Sequence, residues 1–470
     1  MEGTGAAFAA LGLAALAACS GGGPEGDGGR AGQGPNVILI TLDTVRSDHL
    51  SCYGHELPTT PNLDALAAAG TRFEHCVSTA ALTPVSHASI LTGLNPYQHG
   101  LRVLYAESGY RLPDSVPTIA TVLGAAGWDT AAVLSAFPVS ERFGLNQGFR
   151  HFDNGLTPDA EAPEEAESPG AVRLGRRQRR SDATTDQALA WLAGVDRPFF
   201  LWIHYWDVHD PLIVPPPEFV RAARRTLGRT SAGPPSLYDT ELNFIDVQIG
   251  RLLAALRERG LYGPTLIVVT ADHGEGLGEH GWHSHRLLYE EQIHVPLIVK
   301  PVAGSASAGA RARRVIPETV RTIDIVPTIL EELGVDGPPV EGRSLFPLLR
   351  GDADAPRPAY ADQLNKWDLK ADMLAQRPDD DLLHCMEDGS AKLIYRPLRP
   401  AESELYDIER DPDEANNLYA ADDPRAVRLL DELQARHPFV LQPFPATAAP
   451  DADAADTAKA LRELGYLGDG

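Results

Sequence analysis

Four side chains that could bind a metal ion follow apolar runs typical of buried strands. They are Asp43, His209 and the adjacent pair Asp272 and His273. A single aspartate after a strand commonly caps a helix or forms a turn. Because the carboxyl ends of parallel strands meet at one edge of a sheet, however, we expect these four side chains to converge. Carboxylates and imidazoles bind divalent cations, so this edge is a candidate metal site.

Thr83 stands where a nucleophile could attack a group bound at that edge. It precedes Pro84 at the predicted start of a helix that runs to Leu91, since proline favours the first helical turn. The free N–H groups of such a turn attract an oxyanion. Threonine also caps helices well, which is the alternative role for Thr83. A neighbouring metal ion would lower the pKa of its hydroxyl, so we interpret Thr83 as a nucleophile and metal ligand.

Apolar runs and helix-period segments alternate along the chain and position these residues. The predicted strands lie at 36–42, 130–134, 199–204, 265–270 and 295–299. The predicted helices lie at 61–69, 117–126, 181–195, 237–259 and 323–333, with Thr60 as the N-cap of the first. This alternation predicts an α/β fold with a doubly wound, mixed but mainly parallel sheet and helices on both faces.

The composition changes after about residue 350, where proline and aspartate become more frequent. Short strand-like pieces at 359–362, 392–395 and 404–408 precede helical segments at 425–436 and 456–464. We therefore expect a catalytic α/β domain at 35–350 and a small C-terminal α+β subdomain at 351–470. The polar segment 157–180 is predicted to be a surface loop.

The segment 81–93 resembles the signature of the sulfatases of the alkaline phosphatase superfamily. That signature begins with a cysteine or serine that becomes formylglycine, continues after one variable residue with Pro-Ser-Arg, and ends after an apolar run in Thr-Gly. Counting back from Thr92 places Thr83 at the modified residue and His87 at the arginine. The resemblance extends over about 36–467 and implies an alkaline-phosphatase-like fold and a metal-dependent ester hydrolase, in a variant with Thr83 in place of the formylglycine residue.

The same resemblance implies roles for the metal residues. Asp43 and the pair Asp272 and His273 match the sulfatase metal positions, where Asp-Asp and Asp-Asn are usual, and Thr44 replaces the second aspartate. The set of donors would suit one divalent ion, with Zn²⁺ or Mn²⁺ at least as suitable as Ca²⁺ or Mg²⁺.

Several histidines match positions that contact the substrate in that family. His209 corresponds to the histidine that contacts the leaving oxygen, as a general acid or oxyanion contact. Within a segment that carries four histidines at 280–294, His285 falls at the lysine that binds sulfate, and His283 is nearly as well placed. His204 is expected to pack in the core, whereas Asp207 could bind a second metal or orient a histidine.

Chemistry at Thr83 favours phosphate over sulfate. A formylglycine diol releases sulfate by elimination, whereas a threonine sulfate has no such exit and needs slow attack by water. The donors also resemble the metal site of phosphoethanolamine and glycerophosphate transferases and of nucleotide pyrophosphatases, which are phosphoryl enzymes with a threonine nucleophile. The sequence thus predicts a hydrolase of sulfate or phosphate esters, with a phosphodiesterase or phosphoryl-group transferase as the alternative. A non-catalytic, lipid-anchored binding protein is the third hypothesis.

The bulk composition bounds the partners. The 470-residue chain has a net charge of −24, which argues against nucleic acid binding. An apolar stretch ending in a lipobox-like motif at Cys19 predicts a lipoprotein signal peptide at 1–19, a flexible tether at 20–34 and lipidation of Cys19, although the first residues carry no Lys or Arg. We expect an exported bacterial lipoprotein, periplasmic or on the outer face of a membrane, that acts on a small-molecule, glycan or lipid ester.

The remaining cysteines indicate no disulfide framework. Cys52, Cys76 and Cys385 are odd in number and lack metal-ligand spacing. We expect buried free thiols, with a bond between Cys52 and Cys76 as the alternative in an oxidising compartment.

Overall fold

The computed structural model describes residues 34–104, 109–155, 178–211, 213–230, 233–305, 314–368, 371–436, 439–442 and 459. The predicted signal peptide, its lipidation site Cys19, nearly all of the tether and nearly all of the helix at 456–464 lie outside these residues. Most of the predicted loop at 157–180 lies outside them as well. Among the described helices, none is both long and apolar enough to cross a membrane.

A nine-stranded sheet dominates the described part of the chain. Its strands are β1 (Asn36–Leu42), β2 (Thr71–Val77), β3 (Asp129–Val133), β4 (His151–Asp153), β5 (Phe199–Tyr205), β6 (Thr265–Ala271), β7 (His294–Lys300), β8 (Val315–Ile316) and β9 (Val320–Arg321). Their order is β4-β3-β5-β1-β6-β7-β2-β8, with β9 also paired to β2. Every residue of β1 is buried. Both faces of the sheet are therefore covered at its centre, as expected for a continuous apolar strand.

The direction of the strands fixes where the polar residues gather. β4, β3, β5, β1 and β6 are mutually parallel, whereas β7 is antiparallel to β6 and β2 is antiparallel to β7. β2 consequently points the same way as β1, and the carboxyl ends of β1, β2, β5 and β6 share one edge. The connection from β6 back into β7 lies over that same edge.

Twelve helices accompany the sheets in the described residues. They are α1 (Pro61–Ala69), α2 (Thr83–Thr92), α3 (Pro96–His99), α4 (Ile119–Ala125), α5 (Ser181–Gly194), α6 (Pro217–Thr226), α7 (Leu237–Glu258), α8 (Glu290–Ile293), α9 (Ile325–Leu333), α10 (Phe346–Arg350), α11 (Ala371–Gln376) and α12 (Pro424–Arg436). α7 begins with a capping box, in which Ser236 and Asp239 satisfy each other's backbone N–H groups.

A second, antiparallel sheet follows the first. Its strands, in spatial order, are β10 (Ala359–Gln363), β11 (Leu383–Asp388), β12 (Ala391–Tyr395) and β13 (Glu404–Asp407). α12 covers this sheet by packing Leu429 and Leu433 into one apolar cluster with Met386 and Leu393. Another cluster joins the sheet to the segment before β7, and the described residues belong to one compact unit.

The predicted fold class is confirmed. The five predicted strands and five predicted helices of the first domain all occur, with ends that differ by at most two residues. β2 and β11 were missed because both mix charged and apolar residues, and β2 is further broken by a β-bulge.

One local expectation is confirmed in position only, and one alternative is corrected. Thr60 is the N-cap residue of α1, but its side chain makes no capping hydrogen bond and instead donates to Asp64 Oδ1 at 3.2 Å. Cys52 and Cys76 are both free thiols, so the alternative of a disulfide between them is wrong. Burial raises the pKa of the Cys52 thiol to about 12.

Candidate active site

Asp43, Thr83, Asp272 and His273 meet at the shared edge of the main sheet. Asp43 follows β1, and its N–H donates to the carbonyl of Tyr205 at the end of β5, at 2.8 Å. Asp272 and His273 follow β6, and Thr83 follows β2 as the first residue of α2. All four are fully buried. The convergence expected from the parallel strands is therefore what the structure has.

The carboxylates of Asp43 and Asp272 lie within 4.8 Å of each other. Burial raises the pKa of Asp43 and of Asp272 well above the usual range, and for Asp272 the charge of Asp43 adds to the effect. Asp43 Oδ1 and Asp272 Oδ2 make no hydrogen bond within the described part of the chain. Buried carboxylates with unused oxygens are costly unless a cation binds between them, so these residues fit a divalent metal ion.

His273 presents a lone pair to the same point. Its Nδ1 lies 2.9 Å from the carbonyl oxygen of Gly274, which can only accept, so Nδ1 carries the proton. Nε2 lies 3.3 Å from Thr83 Oγ1 and 3.5 Å from Asp272 Oδ2. Ligand atoms of Asp43, Asp272 and His273 lie within 4.8 Å of one another. Metal-binding histidines are typically oriented in this way by a hydrogen bond from the other nitrogen.

Thr83 is not the cap of the helix it begins. The N-cap residue is Leu82, so the alternative role considered for Thr83 is wrong. Pro84 lies in the first turn, as expected, and the whole of α2 is buried. The Thr83 hydroxyl hydrogen bonds with the carboxylate of Asp43 and reaches His273. The geometry thus turns its side chain towards the metal residues and away from the helix backbone.

His87 contacts the carbonyl of Thr83 and the end of β1. Its Nδ1 donates to the carbonyl of Thr83 at 2.7 Å and lies 3.4 Å from Asp272 Oδ2. Its Nε2 is 3.0 Å from Thr41 Oγ1, which also accepts from Trp202 Nε1 at 2.9 Å. Burial lowers the pKa of His87 well below the usual range, so the ring is neutral. Both ring nitrogens thus contact groups of the protein, which suits a positioning role, and the catalytic contact expected for His87 stays a prediction.

His204 belongs to the site, although the sequence suggested core packing alone. Its Nε2 lies 3.0 Å from Asp43 Oδ2, and burial lowers its pKa to about 3. A neutral ring that donates to this carboxylate holds Asp43 in place. The signal was the strand register: His204 on β5 is the neighbour of Thr41 on β1, two residues before Asp43.

Thr44 occupies a strained backbone conformation beside the carboxylates. Its φ is +52°, in the left-handed region that non-glycine residues rarely adopt. Its N–H donates to Asp272 Oδ1 at 3.2 Å, and its carbonyl accepts from the hydroxyl of Tyr238 on α7 at 2.7 Å. Such strain persists where surrounding contacts fix it, commonly at functional sites.

His285 and His209 extend the site from the metal residues towards the surface. The His285 ring lies 4.7 Å from that of His273 and 5.4 Å from that of His209. His285 is buried, with its Nδ1 3.0 Å from the carbonyl of Ala81. His209 is partly exposed and stacks on Trp206 at 3.8 Å. His283 is exposed, so of the two candidates left open by the sequence, His285 is the one beside the cluster.

Asp207 serves the fold near this edge. Its carboxylate accepts from the N–H of Ser181 at 2.9 Å and from the Ser181 hydroxyl at 2.8 Å, which fixes the first turn of α5. Burial raises its pKa to about 7. The second-metal or histidine-orienting roles expected for Asp207 give way to this contact with α5.

Comparison with known proteins agrees with this geometry. Residues 35–335 match the Sulfatase family, and residues 278–437 match the C-terminal region of N-sulphoglucosamine sulphohydrolase. Human arylsulfatase A is 29% identical over 85% of this chain and 87% of its own. A multifunctional alkaline phosphatase superfamily protein of Trinickia caryophylli is 28% identical over 84% and 93%.

Solved structures show the same fold. A phosphonate monoester hydrolase of Silicibacter pomeroyi superposes with a TM-score of 0.63 at 25% identity, covering 86% of this chain and 95% of its own. That of Agrobacterium radiobacter gives 0.66 at 24% identity, covering 86% and 96%. Because the family match spans more than half of the chain, this protein belongs to the sulfatase family of the alkaline phosphatase superfamily and is a sulfatase-like ester hydrolase.

Proposed function

We propose that this protein hydrolyses sulfate or phosphate esters at a divalent metal site, with Thr83 as the nucleophile, and that phosphate esters are the better substrates. The observation that carries the proposal is the meeting of the Thr83 hydroxyl with Asp43 and with the lone pair of His273, beside unused oxygens of both buried aspartates. A threonine that served only the helix would direct its hydroxyl to the backbone of α2.

The proposed ligands are Asp43, Asp272, His273 and the Thr83 hydroxyl. A divalent cation at these atoms supplies Lewis acidity, which lowers the pKa of the hydroxyl and offsets charge on the transferring group. Because the donors include an imidazole, Zn²⁺ or Mn²⁺ suits them at least as well as Ca²⁺ or Mg²⁺.

Two displacements complete the reaction. Thr83 Oγ1 forms a bond to phosphorus or sulfur while the bond to the leaving oxygen breaks, and the hydroxyl proton is passed on, in net terms, to that oxygen. His285 and His209 carry this transfer, and the carbonyl of Ala81 holds the Nδ1 of His285 at 3.0 Å. Water then attacks the covalent ester, the bond to Oγ1 breaks, and Thr83 regains a proton from that water.

The identity of the nucleophile favours phosphorus. A threonine ester carries no second hydroxyl on the same carbon, so elimination cannot release the group and water must attack it. Relatives named as phosphonate monoester hydrolases support a phosphorus substrate, and the relative named arylsulfatase A supports sulfate as the second candidate.

The test compares aryl phosphate monoester, aryl phosphodiester and aryl sulfate, with and without chelator. We expect chelation to abolish hydrolysis and a divalent metal to restore it. Thr83→Ala should lower kcat by about 10³-fold or more, as loss of a nucleophile does, while Thr83→Ser keeps measurable activity. Thr226→Val, which removes a hydroxyl that bonds only to α6 backbone, is the matched control.

The outcomes of this test distinguish the candidate functions. Activity that survives both chelation and Thr83→Ala would refute the mechanism. Faster turnover of aryl sulfate than of either phosphate ester would establish the second candidate. Transfer of the phosphoryl group to an added alcohol in preference to water would identify a phosphoryl-group transferase, and no turnover of any ester would favour the binding protein.

We also propose that the protein is an exported lipoprotein anchored through Cys19. The support is the lipobox-like sequence that ends at this cysteine. Expression with labelled fatty acid should label the wild type and leave Cys19→Ala unlabelled. Equal labelling of the two would refute the anchor.

A further inference from the structure

A second group of possible metal ligands lies between the first strands and the C-terminal sheet. His75 belongs to β2, Glu290 begins α8, and His294 begins β7. His75 Nδ1 is 3.8 Å and His294 Nδ1 is 3.6 Å from the same oxygen, Glu290 Oε2. The two imidazole rings lie 4.6 Å apart, and ligand atoms of the three residues lie within 4.8 Å of one another.

The far nitrogens of both histidines are already occupied. His294 Nε2 donates to the carbonyl of Glu74 at 2.8 Å, and because a carbonyl only accepts, this nitrogen carries the proton. His75 Nε2 is 3.0 Å from a carboxylate oxygen of Glu387. These are the outer contacts that fix the tautomer of a metal-binding histidine, and they turn both Nδ1 atoms towards Glu290.

The surrounding charge calls for a cation. Glu290 Oε1 is 2.7 Å from the amine of Lys392, which also lies 2.9 Å from Glu414 and 3.7 Å from Glu387. With the imidazoles neutral, as metal binding requires, one buried lysine faces three carboxylates and leaves an excess of two formal negative charges. A divalent cation beside Glu290 Oε2 would balance this excess.

The group is reachable from solvent. His75, Glu290 and His294 line a cavity of about 630 Å³ that also contains Asp354 and Arg357. Their side chains are 17%, 13% and 25% exposed, so an ion and its water ligands can enter without unfolding the site.

We propose that His75, Glu290 and His294 bind a second divalent transition metal, of which zinc is the best suited. Two imidazoles and one carboxylate, with a remaining position open to a cavity, form a recognised set of zinc ligands. Ligand atoms about 2.1 Å from a tetrahedral zinc lie about 3.4 Å apart, so the two Nδ1 atoms need to approach Glu290 by a few tenths of an ångström. The ion links β2 and β7, through Glu290 and Lys392, to the C-terminal sheet.

The test counts zinc on the full chain after removal of metal with a chelator and dialysis against zinc. We expect His294→Arg to hold one zinc ion fewer than the wild type and to show a smaller zinc-dependent rise in melting temperature than the wild type. The arginine keeps a cation beside Glu290, so the variant should fold. His75→Gln should lose the same ion and provides a second route.

Two matched variants locate the ion. His55→Gln alters the other histidine pair near a carboxylate, His49 and His55 beside Asp239, and should keep the full zinc count. Asp272→Asn removes a proposed ligand of the active-site metal and should lose a different ion, so failure there concerns the proposed function alone. An unchanged zinc count in both His294→Arg and His75→Gln, or loss of this ion in His55→Gln, would overturn the proposal.

Discussion

The three histidines around Asp43 and Asp272 differ in the groups that their two ring nitrogens contact. His273 donates a hydrogen bond from Nδ1 to the carbonyl of Gly274, and its Nε2 faces the proposed metal position. His204 donates a hydrogen bond from Nε2 to Asp43. The two ring nitrogens of His87 form hydrogen bonds with Thr83 and Thr41. Three residues of one type therefore hold three roles, which are set by hydrogen bonds.

Removing the His204 contact should weaken metal binding. His204→Leu deletes the donor to Asp43 Oδ2, and loss of such an outer contact typically costs 10–100-fold in metal affinity. We expect His204→Leu to need about 10–100-fold more metal for half-maximal recovery of activity after chelation, and His204→Gln, which keeps a donor, to recover part of the loss. His384→Leu, another buried histidine, should behave like the wild type. Identical metal titrations for His204→Leu and the wild type would show that the contact does not matter.

The clustering of Asp43, Asp272 and His273, the proposed metal ligands, was predictable from the sequence because they follow strands of continuous apolar residues. His204 and Thr41 were not, because their roles depend on the register between β1 and β5, which no single strand specifies. His283 and His285 could not be separated from sequence, since both lie in the irregular segment between β6 and β7. There the distinction comes from burial: His285 is 3% exposed.

At the scale of elements, the turn after β6 depends on a close approach of two backbones. A Cβ atom on Gly274 would lie 2.1 Å from the carbonyl oxygen of Glu291, and the Gly274 N–H donates to Gln292 at 2.9 Å. Glycine here allows the segment after His273 to pass directly beside α8.

Gly274→Ala should therefore displace His273. A shift of about 1 Å at a reacting group costs about 10²-fold, so we expect kcat/KM to fall by about that factor together with a lower melting temperature. Gly194→Ala is the matched control, since nothing lies near its Cβ position at the end of α5. Unchanged kcat/KM in Gly274→Ala would show that the segment can relax without moving His273.

α7 carries a buried acid that makes stability depend on pH. Glu241 is 2% exposed, and burial, with the charges of Asp207 and Asp210, raises its pKa to about 9. The raised pKa means that the folded state retains a proton that the unfolded chain releases. The stability associated with this group is thus complete below about pH 4.5 and is lost as the pH rises towards 9.

Glu241→Gln should remove that dependence. Between pH 5 and pH 8 we expect the free energy of unfolding of the wild type to fall, relative to this variant, by at most about 1.4 kcal/mol per pH unit. Denaturant titrations at several pH values measure the difference. Glu258→Gln, at the exposed end of the same helix, should give a curve parallel to that of the wild type. A parallel curve for Glu241→Gln as well would refute the assignment.

Element boundaries followed closely from the sequence where caps and periodicity agree, as in α7. The antiparallel sheet was only partly predictable, because β11 alternates apolar residues with His384, Glu387 and Asp388. His384 and Glu387 are both buried. Glu387 contacts His75 on β2, and His384 contacts Tyr360 on β10. Strands that contain charged residues are not predicted from hydrophobicity, because the partners that bury those residues lie far away in the sequence.

At the scale of the whole molecule, the two sheets are joined by buried charge as well as by apolar contacts. Arg286, between β6 and β7, pairs with Asp368 of the C-terminal region, and both are buried. Lys392 on β12 reaches Glu290 on α8. The same segment also carries His285, so the active-site edge and the second sheet are mechanically connected.

Loss of the buried ammonium group of Lys392 should destabilise the whole molecule. Lys392 is fully buried and pairs with Glu290 at 2.7 Å and Glu414 at 2.9 Å. In Lys392→Met these carboxylates and Glu387 would lose the ammonium they share and would repel one another, and breaking a buried pair in this way typically costs about 3–5 kcal/mol. Denaturant unfolding at neutral pH measures this loss against Lys366→Met, an exposed lysine beside Trp367. Equal free energies of unfolding for the two variants would mean that the Lys392 ion pairs add nothing to the stability of the molecule.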